Sequence, residues 1–331
     1  MSYESEKQVA IAATLAAAQL CEQVRREIVP TAIAKQDRSP VTIADFGSQA
    51  LICRALATAF PQDPVIGEED AAELRQPAMA NILAQVTGYV QTQIGAATPE
   101  QVTTWIDHGN GAVGPRYWTL DPIDGTKGFL RGDQYAVALA LVEAGEVKLG
   151  VLACPALAFD AGPQGLLFVA VRGEGATVTP LRGGDSSPIQ VGGAGGDGQR
   201  PVFDHHLRFV ESVEANHGDQ SQQAAVARAV GITQDSLRMD SQAKYGAVAS
   251  GQAALYLRLP SPKTPDYREK IWDHAAGAIV VEEAGGQVTD MYGKPLDFSQ
   301  GTKLVDNRGV VVSNGAIHAQ VIAVLQAAQK S

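Results

Sequence analysis

Two carboxylates, Asp121 and Asp124, lie three residues apart around a proline, and Gly125 and Thr126 follow them directly. The aromatic and apolar residues just before them, 117–120, predict a buried strand that breaks into a turn at these acids. Two acids held together at a strand end repel each other unless a cation lies between them. The pattern therefore predicts a hard divalent metal, Mg²⁺, and metals of this kind commonly serve phosphate chemistry.

Other acidic positions could extend this group, although each has an ordinary structural explanation. Glu68 and Glu69 follow an apolar run and a glycine, where they could form a solvated turn. Asp273 precedes an apolar helical pattern and could be only its N-cap, a choice worth ~1 kcal/mol. Asp45, three residues after Thr42, could complete a capping box. The Asp-Pro-Ile-Asp-Gly-Thr segment is different, because a turn requires one Asp and a Gly but no second acid or Thr.

The composition is that of a soluble globular protein with an acidic net charge. The 331 residues are 45% hydrophobic and 19% charged, enough to bury a large core in two domains. A formal net charge of −10 with no basic stripe argues against binding of nucleic acid or of an anionic membrane. A small polyanionic substrate is not excluded, because bound cations would reverse the field inside one pocket.

The cysteines and the first residues bear on the cellular compartment. Cys21, Cys53 and Cys154 are far apart and form no C-x-x-C pair, which favours buried thiols in a reducing compartment over a disulfide or zinc site. The polar, acidic first residues resemble neither a signal peptide nor an Arg-rich transit peptide. No apolar run approaches the ~18 residues needed to span a bilayer, so we expect a cytoplasmic protein.

Hydrophobic periodicity predicts helices first and then a run of strands. One helix covers Val9 to Ile28 and ends at Pro30, and a second runs from Thr42 to Phe60. Strands are predicted at 102–106, 117–120, 135–142, 147–152 and 166–171, with a hairpin turn at 143–146. This order indicates α+β layers rather than alternating βαβ units.

Residues 183–200 are rich in glycine and cannot form a core, so they predict a domain boundary or an exposed loop. Beyond them we expect strands at 207–210 and 254–259 and a helix at 222–230. A further helix is expected from His274 to Ala284, capped by two glycines.

A Gly-x-Gly-x-x-Gly match at 109–114 does not predict a dinucleotide site. Pro115 and a strand follow it, so no helix N-terminus is available for a pyrophosphate, and a glycine-rich connection between two strands is favoured. The chain also has no P-loop, H-E-x-x-H or G-x-S-x-G motif, which removes the usual signatures of ATP-driven, zinc-protease and serine-hydrolase mechanisms.

Three motifs resemble those of the inositol monophosphatase-like, lithium-sensitive, magnesium-dependent phosphatases. They are Leu-Asp-Pro-Ile-Asp-Gly-Thr at 120–126, Gly-Glu-Glu at 67–69, and Trp-Asp-His-Ala-Ala-Gly at 272–277 with Glu-Ala-Gly-Gly after it. Further segments resemble the branch of 3'(2'),5'-bisphosphate nucleotidases, at 39–45, 127–131, 240–245 and 256–260, with a weaker one at 213–217. That branch converts adenosine 3',5'-bisphosphate (PAP) to AMP.

The resemblance implies a role for each matching residue. The implied metal ligands, for two or three Mg²⁺ ions, are Glu68, Asp121, the carbonyl of Ile123, Asp124 and Asp273. Asp45 and Thr126 would orient and deprotonate the attacking water. The positions that would hold the nucleotide are Thr126, His217, Ser241, Lys244, Arg258 and Asp273.

The resemblance also implies a layered αβαβα sandwich with the site between two domains. Domain 1–184 would carry most metal ligands, and domain 201–331 the nucleotide-binding residues and the last metal-ligand Asp. Asp133 stands where the branch usually has Glu, and the segment 75–101 matches nothing in it.

The sequence thus predicts a monomeric phosphatase that hydrolyses PAP to AMP, with conversion of the sulfated relative PAPS to APS as a second candidate activity. An inositol (poly)phosphate 1-phosphatase is the alternative, because the metal site alone does not separate the two. A nucleotide sensor without turnover is the remote alternative, since every implied base and ligand is present.

Overall fold

The computed structural model describes residues 3–27, 32–34, 40–158, 162, 164–192, 208–214, 220–261 and 263–328. Its helices are α1 Glu4–Glu27, α2 Ile43–Ala59, α3 Ala80–Ile94, α4 Pro99–Asp107, α5 Thr126–Arg131, α6 Gln220–Ala229, α7 Ala243–Ala249, α8 Ala275–Glu283 and α9 His318–Ala328. Its strands are β1 Ile33–Ala34, β2 Pro40–Val41, β3 Val65–Gly67, β4 Arg116–Asp124, β5 Ala136–Glu143, β6 Glu146–Cys154, β7 Leu166–Val171, β8 Gly175–Pro180, β9 Ser187–Ile189, β10 Phe209–Glu211, β11 Leu237–Arg238, β12 Leu255–Arg258, β13 Gln287–Thr289 and β14 Val310–Ser313.

Two large sheets organise the molecule. Strands β3 to β9 form a seven-stranded sheet in chain order, in which only β3 and β4 pair in parallel. The second sheet has five strands in the order β11-β10-β12-β14-β13. The short strands β1 and β2 pair with each other as an antiparallel ribbon before α2.

Both faces of the seven-stranded sheet are covered, as the alternation along β5 shows. Val137, Leu139 and Leu141 pack in one buried cluster with α1 and α2. Ala136 and Ala138 point to the opposite face and pack in a second cluster with α7, α8 and the five-stranded sheet. A period of two with apolar residues on both faces is the pattern of a strand buried between two layers.

The outer face of the five-stranded sheet has its own helical cover. Leu255, Leu257 and Val311 of this sheet pack in a third cluster with Val226 of α6 and Val321 of α9. The layers are therefore α1 and α2, the seven-stranded sheet, α7 and α8, the five-stranded sheet, and α6 with α9. The predicted αβαβα sandwich is confirmed.

One predicted strand is wrong. Residues 102–106 lie in α4, which starts with a complete capping box between Thr98 and Gln101 and carries Pro99 in its first turn. Val102 and Ile106 are buried four residues apart, on one face of the helix. The glycine-rich segment 109–114 consequently joins a helix to β4 and not two strands, although a strand does follow it as expected.

The first half of the glycine-rich region 183–200 belongs to the fold. Residues 187–189 form β9, the edge strand beside β8, and Val191 is buried with the second cluster. The expectation that no part of this region joins the core is therefore wrong for its first half. Residues 193–200 lie outside the described residues.

Several local predictions are confirmed. The turn at 143–146 links β5 and β6, with positive φ at Ala144 and Gly145 as a tight type I′ hairpin requires. The three cysteines are buried free thiols. Among the described residues, no helix is both long and apolar enough to cross a membrane.

Candidate active site

A β-bulge in β4 presents the two acids of the opening motif. Asp121 pairs with Ala138 of β5 and Asp124 with Ala136, so β4 contains one extra residue between them. The sequence predicted that the strand ends before Asp121. That end is wrong, because the strand continues through a bulge to Asp124. The backbone N–H of Ile123 donates to Asp121 Oδ1 at 3.1 Å, which fixes that carboxylate inside the bulge.

Glu68 reaches the same place from the neighbouring strand. β3 pairs with β4 in parallel, with Gly67 opposite Leu120, so Glu68, directly after β3, lies beside Asp121 at the start of the bulge in β4. Its backbone N–H donates to the carbonyl of Leu120 at 3.2 Å. Glu68 lines the cavity next to the acids, whereas its neighbour Glu69 is buried. The simple solvated turn therefore does not describe this segment.

Asp273 joins these acids from the start of α8. The N-cap of α8 is His274, one residue further on, so capping does not explain Asp273. Burial raises the pKa of Asp273, and the negative charges of Asp124 and Glu68 raise it further. The structure therefore brings Asp273 into the same carboxylate group.

Asp121 lies among the negative charges of the other three carboxylates. It is 2% exposed, and burial raises its pKa, followed by the charges of Glu68, Asp124 and Asp273. Such a group of carboxylates, one buried and the others lining the cavity, is unfavourable by itself and suits a hard divalent cation. The carboxylates present therefore fit the metal that the sequence predicted.

Asp45 takes part in the predicted capping box and also contacts Thr126. Its Oδ2 accepts from the Thr42 backbone N–H at 2.7 Å and from the Thr42 hydroxyl at 2.6 Å. Its Oδ1 accepts from the Thr126 hydroxyl at 3.3 Å. The Thr126 Oγ1 also lies 3.2 Å from the carbonyl oxygen of Ile123. The capping box and the contact with Thr126 therefore coexist, one on each carboxylate oxygen.

A cavity of about 420 Å³ opens next to the acids. The predicted site residues that line it are Glu68, Asp124, Thr126, Ser241, Lys244, Arg258 and Asp273. His217 lies outside the described residues, and Glu214, shortly before it, lines the cavity and pairs with Lys127 at 3.2 Å.

The cavity lining combines carboxylates with the buried cation Lys244 and the partly buried cation Arg258. Lys244 is on α7, with its Nζ 5.1 Å from the centre of the Tyr256 ring. Burial lowers the pKa of Lys244 to about 8, and the nearby Arg258 acts in the same direction. A pocket lined by both carboxylates and the cations Lys244 and Arg258 suits a phosphorylated ligand that also binds metal.

Sequence reasoning missed the residues that hold Arg258. Glu269 Oε1 accepts from Arg258 Nε at 3.2 Å, and its Oε2 lies 3.2 Å from His274 Nε2. His274 Nδ1 in turn lies 2.7 Å from the hydroxyl of Tyr245. Burial alone would raise the pKa of Glu269, but Arg258 and His274 outweigh it and lower the pKa to about 2.

Glu269, Asp273 and His274 also lie close enough together to share a metal ion. Because Glu269 and His274 already contact each other and Arg258 or Tyr245, we assign Asp273 alone to the carboxylate group around Asp121. The available sequence signal for Glu269 was its place four residues before Asp273.

The layered fold and a cavity lined by clustered carboxylates and by Lys244 and Arg258 are typical of metal-dependent phosphatases with an αβαβα sandwich. The family model described as "Inositol monophosphatase family" matches residues 3–330. The chain belongs to the inositol monophosphatase family, whose members are generally metal-dependent.

Curated relatives match over nearly the whole chain. A 3'(2'),5'-bisphosphate nucleotidase of Emericella nidulans is 43% identical, covering 98% of this chain and 99% of its own length. The enzyme of the same description from Schizosaccharomyces pombe is 42% identical, covering 97% and 95%. That of Oryza sativa is also 42% identical, covering 99% and 95%.

Solved structures share the fold at lower identity. A Thermotoga maritima IMPase superposes with a TM-score of 0.64 at 23% identity, covering 97% of this chain and 96% of the other. CysQ from Bacteroides thetaiotaomicron, described as a bacterial member of the inositol monophosphatase family, gives 0.59 at 21%, covering 94% and 98%. At this level of identity the likeness concerns the fold alone.

Proposed function

We propose that this protein is a Mg²⁺-dependent phosphatase that removes the 3'-phosphate of PAP to give AMP, and that it also converts PAPS to APS. The observation that carries this proposal is the sequence identity of about 40% to several 3'(2'),5'-bisphosphate nucleotidases across nearly their whole length. The cavity supports it, because both carboxylates and cations line it. Inhibition by Li⁺ is part of the same proposal.

The proposed metal ligands are the carboxylates of Glu68, Asp121, Asp124 and Asp273 and the carbonyl of Ile123. When bound, two or three Mg²⁺ ions would lower the pKa of a water molecule and neutralise charge on the phosphate. The bulge in β4 carries Asp121, Ile123 and Asp124, Glu68 directly follows β3, and Asp273 lies just before α8. Repulsion between these carboxylates raises the free energy of the metal-free site and therefore favours metal binding.

Asp45 and Thr126 are the proposed water-activating pair. The Thr126 hydroxyl donates to Asp45 Oδ1, so its oxygen can accept a proton from the attacking water while its own proton passes to Asp45. Thr126 is a weak base by itself, and the ionised carboxylate beside it makes the transfer possible. The two hydrogen bonds from Thr42 fix the orientation of Asp45.

Lys244 and Arg258 are proposed to bind the phosphate that is not cleaved, and Ser241 and His217 are proposed to help hold the nucleotide. Arg258 offers a planar fork and Lys244 a point charge. Glu269 holds Arg258 by its Nε, which leaves the orientation of the guanidinium defined. Thr126 and Asp273 would contact the phosphate that is cleaved.

We further propose a monomeric, cytoplasmic enzyme with its site between the regions 1–184 and 201–331. The buried free thiols of Cys21, Cys53 and Cys154 support a reducing compartment. Size-exclusion chromatography with light scattering tests the monomer, and a dimer at micromolar concentration contradicts it.

The substrate is tested by comparing kcat/KM for PAP, PAPS, inositol 1-phosphate and inositol 1,4-bisphosphate. We expect the highest value for PAP, and a clear preference for an inositol phosphate overturns the proposal. Lys244→Met sharpens the test, because it removes one charge near the uncleaved phosphate. We expect it to lower kcat/KM for PAP much more than for inositol 1-phosphate, which has only one phosphate.

A further inference from the structure

Gln242 lies between two of the proposed metal ligands and bonds to the elements that carry both. Its backbone N–H donates to Asp124 Oδ2 at 2.6 Å. Its side-chain Nε2 donates to the carbonyl of Trp272 at 2.9 Å, and its Oε1 accepts from the backbone N–H of Gly277 at 3.0 Å. Gln242 is 1% exposed. A single buried residue therefore connects the end of β4 with the start of α8, on both sides of Asp273.

The side-chain bonds act as a helix cap supplied from another element. The first backbone N–H groups of a helix have no partner within it, and Gly277 is in the first turn of α8. Within the described part of the chain, the N-cap residue His274 makes no side-chain capping bond to α8. The acceptor comes instead from Gln242. The amide of Gln242 supplies both the donor for Trp272 and the acceptor for Gly277, whereas an ionised Glu of the same length would have no donor.

The backbone before Gln242 is held in an unusual conformation that orients its N–H. Ser241 has φ 66°, a region that residues other than glycine seldom adopt. The Ser241 Oγ accepts from the N–H of Ala243 at 3.1 Å, and a Cβ on Gly125 would lie only 3.0 Å from Ser241 Cβ. Close packing against Gly125 thus fixes the conformation that directs the Gln242 N–H to Asp124.

We propose that Gln242 is a positioning residue that sets the spacing of Asp124 and Asp273, and thereby the affinity of the site for divalent metal. This inference rests on the proposed function, because it requires that both carboxylates bind metal. Without Gln242, the two like charges would be free to move apart in the unoccupied site. Loss of an outer partner of a metal ligand typically weakens metal affinity by about 10–100-fold.

The test measures metal binding without substrate. Metal-stripped protein is titrated with Mn²⁺, and free Mn²⁺ is followed by electron paramagnetic resonance. Gln242→Met keeps the length of the side chain and removes both amide bonds. We expect its Kd for Mn²⁺ to rise by about 10–100-fold, with the Mg²⁺ requirement of phosphate release rising in parallel and kcat recovering at saturating Mg²⁺.

Gln91→Met is the matched control, because Gln91 also donates from its side chain to a backbone carbonyl, that of Ala97, at 2.7 Å. It is on α3 and does not line the cavity. We expect its Kd for Mn²⁺ to equal that of the parent. Should Gln242→Met fail to fold, Gln242→Asn, which retains the amide on a shorter side chain, replaces it with the same expected direction.

The outcomes separate the two levels of the argument. An unchanged Kd for Mn²⁺ in the Gln242 variant overturns the positioning role, even if its melting temperature falls. A parent protein that binds no Mn²⁺ refutes the metal site itself, and with it the proposed function.

Discussion

At the scale of single residues, Asp45 shows how a structural group can also be a chemical one. Its Oδ2 completes the capping box of α2 with Thr42, and its Oδ1 accepts from the hydroxyl of Thr126. The two bonds from Thr42 hold Oδ2 of this carboxylate, while its Oδ1 contacts Thr126. A local helix signal in the sequence is thus also what prepares the proposed base.

Removing the hydroxyl of Thr126 tests this pair. Thr126→Val keeps the shape of the side chain, and we expect kcat to fall by about 10²–10⁴-fold, the usual contribution of a positioned acid or base. Thr126→Ser retains the hydroxyl and should keep kcat within about 10-fold of the parent. Steady-state kinetics at saturating Mg²⁺ decide. A Val variant as fast as the Ser variant would show that the hydroxyl takes no part.

The negative charge of Glu269 is the strongest of the charges that act on the partly buried cation Arg258. Its pKa is lowered to about 2, from an ordinary value of 4.5, so its stabilising effect is complete above pH 4.5. That effect is lost as the pH falls from 4.5 towards 2, because the carboxylate becomes protonated. A shift of this size corresponds to roughly 3 kcal/mol.

We therefore expect Glu269→Gln to lower the free energy of unfolding at pH 7 by about 3 kcal/mol. The difference from the parent should shrink at pH 3, because Glu269 is then protonated in the unfolded chain while it remains mostly ionised in the folded parent. Urea unfolding of both proteins at the two pH values measures this. An equal difference at pH 7 and pH 3 would contradict an ion pair as its cause.

At the scale of elements, the junction from β4 to α5 is the critical connection. The bulge ends at Asp124, Gly125 turns the chain with φ 87°, and α5 begins at Thr126. Within six residues this junction supplies two proposed metal ligands, one proposed ligand carbonyl and half of the water-activating pair. Its conformation therefore matters more to the site than the length of either element.

Gly125→Ala tests that junction. Alanine at this φ costs ~1 kcal/mol, and its Cβ would lie 3.0 Å from Ser241 Cβ, so Ser241 must also shift. We expect both lower stability and a strong loss of activity. Gly173→Ala is the control, since Gly173 has φ 84° but no described atom would lie within 4 Å of the new Cβ. It should lose stability and retain kcat, and equal loss of kcat in both variants would refute the role of the junction.

Elements also show where sequence reasoning works. Asp121 and Asp124 were found because their crowding is encoded within a few consecutive residues. The helix α4 was missed because Val102 to Ile106 is short and apolar, although Thr98, Pro99 and Gln101 gave a helix-start signal. The roles of Glu269 and Gln242 could not be predicted, because their hydrogen-bond partners lie on other segments that only packing brings together.

At the scale of the whole molecule, the carboxylates come from both sides of a layer boundary. Asp121 and Asp124 come from the seven-stranded sheet, and Asp273 precedes a helix that packs on that sheet and borders the five-stranded one. Motif resemblance brought these distant positions together in the sequence analysis, because no local pattern indicates that 45, 68 and 273 meet. A bound cation would link the layers.

The metal should therefore stabilise the fold in a pH-dependent way. The pKa values of Asp121 and Asp273 are raised, so the folded state holds more protons than the unfolded state above pH 3.8. The metal-free protein consequently loses stability as the pH rises from about that value. We expect a fixed concentration of Mg²⁺ to raise the Tm more at pH 8 than at pH 5. Where that concentration is 100-fold above Kd, binding adds about 2.7 kcal/mol to the free energy of unfolding.

Differential scanning calorimetry with and without Mg²⁺ checks this expectation. Asp121→Asn, which removes one charge from the group, should reduce the stabilisation by Mg²⁺ at pH 8. A larger effect of Mg²⁺ at pH 5 than at pH 8 would be inconsistent with a carboxylate site.

Phosphate release from PAP by metal-stripped protein tests the central claim most directly. We predict no release in excess EDTA, full release once Mg²⁺ is restored, and almost none from Asp121→Asn at any Mg²⁺ concentration. Full activity in excess EDTA, or full activity of the Asp121→Asn variant, would contradict a metal-dependent phosphatase built on these carboxylates.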